Sequence, residues 1–172
     1  MKKIIALLLC LSLLGCLWGC VKVPGTPDVP VQFYYPQASQ KDALSSAGGL
    51  VSFELRESAG NIGKYAYLTQ LYLQGPVTET LRNPFPRGTT LKSLLIKNGI
   101  VYLVLSDAIA SLSGTELTLA CACLTRTIYE MTGFRVVNIQ AETQLLGGSR
   151  KLIMNVKDLQ FMDNSTAVPS AG

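Results

Sequence analysis

The side chains that could carry out chemistry in this 172-residue chain are few, and histidine is absent from the sequence. Without imidazole, the chain cannot use Ser-His, Cys-His or histidine-bound zinc mechanisms. The eleven Asp and Glu residues are scattered, and most fall on predicted outer faces or loops. Ser106-Asp107 follows a predicted strand, where a site could lie, but an N-cap or turn role suits these residues better. We therefore expect a protein that is not an enzyme and that needs no cofactor.

Two cysteines lie in the predicted domain, at Cys121 and Cys123. They are two residues apart on a predicted helix, so their side chains point to nearly opposite sides. The two thiols can therefore neither form a disulfide with each other nor chelate one metal ion. We expect both to behave as small buried hydrophobic residues, and we predict no metal site.

The N-terminus has the pattern of an export signal. Met1-Lys2-Lys3 is positively charged, and Ile4–Leu14 is almost uninterruptedly apolar, which is the length of a signal-peptide core and too short to span a bilayer. The apolar run ends at Leu17-Trp18-Gly19-Cys20, and Leu13-Leu14-Gly15-Cys16 has the same form one turn earlier. Both resemble the lipobox of bacterial lipoproteins, in which a small residue precedes the cysteine that becomes the new N-terminus.

The lipobox resemblance implies a diacylglyceryl group on Cys20, with Cys16 as the alternative. Trp18 is bulky for its lipobox position, but cleavage before Cys16 would leave Leu17 and Trp18 directly after the lipid. Two acyl chains give stable anchoring where one would be marginal. The expected location is extracytoplasmic, on the outer leaflet of the cytoplasmic membrane.

These features divide the chain into four parts. Residues 1–19 form the predicted signal peptide, and residues 20–30 the lipidated cysteine and a proline-rich tether. Residues 31–162 form one domain, and 163–172 is a polar tail that we expect to be disordered. At roughly 3 Å per residue, the tether keeps the domain within a few tens of ångströms of the membrane.

The charge of the chain argues against nucleic acid as a partner. The formal net charge is +4, but Lys2 and Lys3 belong to the leader, and without them 13 basic residues face 11 acidic ones. No run of Lys or Arg is longer than two, whereas a nucleic-acid binder concentrates basic residues on one face or in one tract.

Alternation and turn residues predict the strands. Residues 31–35 and 51–56 alternate with the period of two that is typical of half-buried strands. Asn98-Gly99 favours a two-residue type I′ turn, which pairs Lys97 with Ile100, Ile96 with Val101 and Leu94 with Leu103. A strand over residues 136–142 places Val137, Ile139 and Ala141 inward, and residues 152–156 are predicted to form a further strand.

Helical spacing predicts two helices. The first, over residues 64–74, ends at Gly75-Pro76. The second runs from about Thr115 to Thr132, with Ser113 and Glu116 as a capping box and Gly133 as its stop. The order strand, strand, helix, hairpin, helix, strand predicts an α+β fold, a two-layer sandwich of a mixed sheet with both helices on one face.

The second side of the hairpin is unusually apolar for a face without helices. Leu95, Ile100, Tyr102 and Val104 share it, and they form either a binding surface or a patch covered by the tail or by the loop after Tyr35. Tyr102 and Tyr34 could also stack on sugars. In the rigid loop over residues 84–88, which is best interpreted as structural, Pro86 and Arg87 are the candidates for a loop contact.

From Phe33 to about Glu142 the chain resembles the GerMN domain, which occurs in sporulation and spore-germination lipoproteins and other Gram-positive envelope proteins. The matching residues are, in order, Phe33-Tyr34-Tyr35-Pro36, Leu71-Tyr72-Leu73-Gln74-Gly75-Pro76, Pro86, Gly88-Thr89, Asn98-Gly99-Ile100-Val101-Tyr102, Leu105-Ser106 and Leu124-Thr125-Arg126-Thr127-Ile128. The chain departs from the family at Thr143, where a glycine is typical, and it has a single domain copy.

This resemblance implies a compact domain similar to the ring-building modules of envelope-spanning machines, without catalysis. Family members act in assembly of the channel between mother cell and forespore, or in germination. We therefore expect a scaffold or interaction lipoprotein whose partners are the membrane and either envelope proteins or further copies of itself. The alternative hypothesis is a module that binds peptidoglycan or another cell-wall glycan.

Overall fold

A computed structural model describes residues 29–39, 49–58, 60 and 63–159 of the chain. These residues form strands β1 (Val31–Pro36) and β2 (Val51–Arg56), helix α1 (Tyr65–Leu73), strands β3 (Leu91–Lys97) and β4 (Ile100–Leu105), helix α2 (Gly114–Thr132), and strands β5 (Val136–Ala141) and β6 (Leu152–Asn155). Short 3-10 helices cover Asp107–Ser111 and Val156–Asp158. The predicted signal peptide, Cys16, Cys20, most of the tether and the tail lie outside the described residues.

The main sheet has four strands in the order β3-β4-β5-β6. β3 and β4 form the predicted antiparallel hairpin, with Lys97 opposite Ile100 and Leu94 opposite Leu103. Asn98 and Gly99 both have positive φ, at 52° and 75°, as a type I′ turn requires. β5 lies parallel to β4, and β6 lies antiparallel to β5. The predicted mixed sheet and the predicted last strand are thus confirmed.

Both helices lie close to their predicted bounds. Gly75 and Gly133 follow them with φ of 101° and 74°, a conformation that glycine adopts without steric cost. The predicted capping box is wrong, because the Ser113 side chain makes no hydrogen bond to the first turn of α2. The helix begins one residue early at Gly114, whose φ of 51° departs from the geometry that brings an N-cap hydroxyl to the third helical amide.

The hydrophobic core fills the space between the helices and the inner face of the main sheet. β4 and β5 contribute every second residue, as predicted for Val137, Ile139 and Ala141, and α2 contributes its apolar stripe. The core residues from these three elements are Val101, Leu103, Leu105, Val137, Ile139, Ala141, Leu117, Ala120, Cys121, Leu124 and Ile128.

Four aromatic rings join β1 to α1 within this core. Tyr35 stacks on Tyr72 with ring centroids 4.8 Å apart. The rings of Phe33 and Phe85 are nearly perpendicular to the Tyr72 ring, with centroid distances of 5.6 and 5.8 Å. The Tyr35 hydroxyl donates to the Tyr72 carbonyl at 2.8 Å, and the Tyr72 hydroxyl donates to the Tyr34 carbonyl at 2.9 Å. Burial raises the pKa of both phenols, so both remain neutral hydrogen-bond donors.

β1 and β2 form a separate two-stranded sheet. One edge of β1 pairs with β2, and its other edge faces α2, where the Tyr34 amide donates to Thr127 Oγ1 at 2.9 Å. The main chain of β1 is thereby bonded on both sides, which removes an exposed strand edge.

Beyond Val51, which is buried, the burial of β2 does not follow its hydrophobic pattern. Phe53 and Leu55 are exposed, whereas Glu54 is buried opposite Phe33. The Glu54 carboxylate accepts hydrogen bonds from the amides of Val77 and Thr78, both at 3.0 Å, and pairs with Arg56 at 2.8 Å. Burial of this charge is tolerated because its oxygens are bonded on both sides.

Within the described ranges, neither helix has the length and apolar character needed to cross a lipid bilayer.

Candidate interaction surface

The face of the main sheet that points away from the helices is largely apolar. Every second residue of its strands points to this side, and the strand register places Leu95, Tyr102, Asn138 and Ile153 in one row across all four strands. Leu95 and Ile153, at the two ends of the row, are 58% and 59% exposed. We call this surface the outer sheet face. Its apolar residues are Leu95, Ile100, Tyr102, Val104, Val136 and Ile153, and its polar residues are Ser93, Lys97, Asn138, Gln140 and Asn155.

An amide pair lies at the centre of the outer sheet face. Asn138 is only 5% exposed although it points outward, because Tyr102 and Ile153 flank it on the neighbouring strands. Gln140 Nε2 donates to Asn138 Oδ1 at 3.3 Å. The surface therefore combines exposed apolar residues at its two sides with a partly shielded polar centre.

The structure brings four of the candidate residues together and places Tyr34 elsewhere. Leu95, Ile100, Tyr102 and Val104 share the outer sheet face, whereas Tyr34 lies on the two-stranded sheet. Its hydroxyl donates to Gln32 Oε1 at 2.7 Å, and the Arg126 guanidinium lies 5.2 Å from its ring centroid. Tyr34 and Tyr102 therefore do not form one sugar-stacking platform.

Pro86 and Arg87 lie in the loop that leads into β3. With the C-terminal end of α1, the loop lines an open groove of about 600 Å³. The Thr89 hydroxyl and amide both donate to the Pro86 carbonyl, at 2.8 and 3.1 Å, which closes a turn. Arg87 is exposed. The loop has the structural role predicted for it, and the arginine remains available to a partner.

Ser106 and Asp107 fasten loops to the end of the sheet. The Ser106 hydroxyl accepts from the Thr90 amide and donates to the Gly88 carbonyl, both at 3.0 Å. Asp107 accepts from the amide and hydroxyl of Thr143 and from the Gln144 amide. These hydrogen bonds, chiefly those of Thr143, lower the pKa of the Asp107 carboxyl. The residue that replaces the family-typical glycine thus anchors a loop through its own side chain.

The two cysteines of α2 are buried. Burial raises the pKa of Cys121 and of Cys123 to about 12. Both are free thiols. Nowhere in the described part of the chain do three cysteine, aspartate or glutamate residues meet in a group that could hold a metal ion.

This burial gives a direct prediction for thiol chemistry. With a pKa near 12, about 10⁻⁴ of each thiol is ionised at about pH 8, and neither sulfur is open to solvent. We expect iodoacetamide to modify neither Cys121 nor Cys123 in the folded protein and to modify both in guanidinium chloride. Peptide mass spectrometry assigns each site, and rapid modification of either cysteine in the native protein would contradict the structure.

Sequence patterns missed two parts of this arrangement. Ile153 belongs to the outer sheet face, but the assignment of β6 was too weak to place its side chains. Arg126 lies between the rings of Tyr34 and Tyr129, at 5.2 and 5.4 Å from their centroids, and pairs with Glu130 at 3.0 Å. The four-residue spacing from Arg126 to Glu130 on a helix is the sequence signal that indicates their ion pair.

Comparison with known proteins agrees with this architecture. The model of the Germane family, described as "Sporulation and spore germination", matches residues 32–146. The first GerMN domain of the sporulation protein GerM from Bacillus subtilis is 17% identical with a TM-score of 0.52, and the alignment covers 76% of this chain and 99% of that one. Their likeness shows a shared fold.

Two further solved structures have TM-scores of 0.48. A candidate lipoprotein from Clostridium perfringens is 24% identical, with 76% of this chain and 89% of that chain covered. The tandem GerMN domains of GerM from Bacillus subtilis are 17% identical, and the alignment covers 68% of this chain and 40% of that one. No curated protein sequence matches the chain.

Proposed function

Since the chain belongs to the Germane family of sporulation and spore-germination domains, whose model spans about two thirds of its length, we propose that it is a non-enzymatic interaction domain of the cell envelope. It acts as a scaffold in a sporulation or germination assembly. It is anchored by a lipid on Cys20, or alternatively Cys16, to the outer leaflet of the cytoplasmic membrane. Its partners are envelope proteins or further copies of the chain.

The observation that carries this proposal is the outer sheet face. An antiparallel or mixed sheet with one solvated side normally has polar residues there, yet this side carries Leu95, Ile100, Tyr102, Val104, Val136 and Ile153. Neither described helix covers it, because both pack on the opposite side. An exposed apolar patch of this kind on a sheet face is typical of a protein–protein contact site.

The residue inventory supports a non-enzymatic role. The chain has no histidine, and the side chains that were candidates for chemistry have structural contacts instead. Asp107 and Ser106 hold loops, Glu54 holds the segment after α1, and Cys121 and Cys123 are buried. The N-terminal sequence pattern supports the lipid anchor, since a positive start, an apolar core and a small residue before cysteine occur in that order.

Charged residues at the rim of the outer sheet face test the proposal. We expect the double substitution Leu95→Asp and Ile153→Asp to lower the yield of crosslinked envelope proteins at least about tenfold, because interface anchors typically contribute more than 1 kcal/mol each. The measurement is in-cell crosslinking of the full-length protein in its sporulating host, followed by mass spectrometry. Both side chains are more than half exposed, so the fold tolerates the change.

Leu50→Asp combined with Tyr67→Asp is the matched double control, because these side chains are 63% and 51% exposed and lie outside the outer sheet face. It should leave the crosslinked set unchanged. If the double variant and the native protein crosslinked to envelope proteins in equal yield, the outer sheet face would not be the contact site.

Glycan binding is the second candidate, and one observation favours it. Tyr102 lies beside the Asn138 and Gln140 amides on the same face, and an aromatic ring next to hydrogen-bonding amides suits a sugar. Sedimentation with purified sacculi that is lost in Tyr102→Ala would support this function, whereas no sedimentation of the native protein would exclude it.

A further inference from the structure

The segment that leads from the proposed lipid anchor enters the domain at one identifiable end. Val29 and Pro30 are exposed and precede β1. They line a cavity of about 310 Å³ together with Gly63, before α1, and Met131, near the end of α2. The start of β1, the start of α1 and the end of α2 therefore meet there.

The same end holds one rim of the main sheet. α2 leads through Gly133 into the start of β5, and the register places Ile100 beside Val136 and Val136 beside Asn155. The β3–β4 turn and the 3-10 helix after β6 thus lie at this rim, and the Val156 amide donates to the Arg135 carbonyl at 2.9 Å. We call the whole region the tether end.

Four exposed basic residues surround the tether end. Lys97 ends β3, Arg135 precedes β5, Lys157 follows β6 and Lys64 precedes α1. Among the described residues here, Glu57 and Asp158 are the exposed acids without an ion pair. A third, Glu130, pairs with Arg126 at 3.0 Å.

The opposite rim of the main sheet also carries exposed basic residues, among them Arg87 and Lys151. There Lys92 pairs with Glu142 at 3.1 Å. Arg150 donates to the Thr143 carbonyl at 3.0 Å, and Asp107 lies in the same loop cluster. The tether end is therefore distinguished by its place next to the proposed anchor, and both ends carry more exposed basic than acidic residues.

From this coincidence we infer that the tether end is a membrane-contact surface that binds anionic phospholipid headgroups. The inference rests on the lipid anchor proposed above. Eight residues separate Cys20 from Val29, so the domain lies within about 30 Å of the anchor even at full extension. Lys and Arg held this close to an anionic leaflet are attracted to its negative surface potential. The anchor then holds the chain at the membrane, and the basic residues turn this end of the domain towards the leaflet.

This orientation has a consequence for the proposed docking surface. The strands end at the tether end, so with that end on the membrane they run roughly along the membrane normal. The outer sheet face then points sideways, parallel to the bilayer. It is presented to partners held in the same membrane and turned away from the lipid.

The inference is tested with the full-length lipidated protein in vesicles that carry a headgroup-attached quencher. One set contains phosphatidylcholine only, and the other contains added phosphatidylglycerol. A dye is placed on Ala66→Cys, in the first turn of α1, or on Ser149→Cys, beyond the opposite rim; both positions are exposed. The protein without an added cysteine gives the background.

We expect quenching of the Ala66→Cys label to rise severalfold when phosphatidylglycerol is present. Because each surface cation changes membrane contact by about fivefold, the triple substitution Lys97→Ser, Arg135→Ser and Lys157→Ser should remove most of this rise. About 1 M salt should do the same. The Ser149→Cys label should be quenched little in either vesicle.

The control is a second triple substitution, Arg82→Ser, Arg87→Ser and Lys151→Ser. It also removes three positive charges, but from positions outside the tether end, and it should leave the quenching unchanged. If the two triple variants behave alike, or if quenching is independent of phosphatidylglycerol, the inference is wrong while the anchor stands. If the full-length protein does not float with vesicles of either composition, the anchor itself is refuted.

Discussion

Replacing Tyr72 by alanine should destabilise the domain by about 3–5 kcal/mol, the usual cost of removing a large aromatic side chain from a packed core. Tyr72 has no solvent exposure and touches the rings of Phe33, Tyr35 and Phe85. Its hydroxyl also bonds the Tyr34 carbonyl. The substitution thus removes the contact through which α1 is held to β1. Equilibrium unfolding in guanidinium chloride, followed by circular dichroism, measures the loss.

Two companion variants separate packing from hydrogen bonding. Tyr72→Phe keeps the ring and leaves the Tyr34 carbonyl without this partner, so it should cost about 1–2 kcal/mol. Tyr67→Ala removes the same side chain one turn earlier in α1, where it is 51% exposed, and should cost less than about 1 kcal/mol. Similar losses for Tyr67→Ala and Tyr72→Ala would show that the aromatic cluster does not hold the two elements together.

Replacing Glu54 by alanine should cost about 3 kcal/mol, because it removes one member of a buried ion pair and leaves its partners unsatisfied. Arg56 would lose its carboxylate, and the amides of Val77 and Thr78 would lose their acceptor. The segment after α1 would then be fixed to β2 by fewer bonds. Hydrogen exchange at the Val77 and Thr78 amides should accelerate along with the global loss of stability.

Glu57→Ala provides the matched control, because Glu57 is an exposed carboxylate three residues further along the chain. We expect this variant to unfold within about 0.5 kcal/mol of the native protein. Unchanged protection of the Val77 and Thr78 amides in Glu54→Ala would show that the buried carboxylate is not what holds the segment.

The parts of the fold that depend on neighbouring residues were predictable from the sequence. Asn98 and Gly99 supply the two positive φ angles of the tight turn, and that turn fixes the pairing of β3 with β4. Gly75 and Gly133 stop the helices for the same local reason. The residues of β5 that point into the core were predictable from its alternation, since Val137, Ile139 and Ala141 differ sharply in polarity from the residues between them.

Features that depend on distant partners were not predictable. The alternation in β2 identifies two sides but does not say which one is inside. Contacts made by Glu54 with residues more than twenty positions away decide that Phe53 and Leu55 face outward. The place of Tyr34 has the same origin, since strand spacing does not show that β1 and β2 leave the main sheet to form a separate one. The outer sheet face was only partly predicted because Ile153 joins it through β6.

The double-sided bonding of β1 gives the domain a mechanical property. Any pull transmitted by the residues before Val29 enters the fold at the first residue of this strand. β1 is paired with β2 over six residue positions, from Val31 opposite Arg56 to Pro36 opposite Val51, and its far edge is held by Thr127. A force along the strand axis loads these hydrogen bonds in shear, so they resist together instead of opening one by one. With the proposed lipid anchor in place, β1 is the element through which a pull from the membrane would pass into the folded domain.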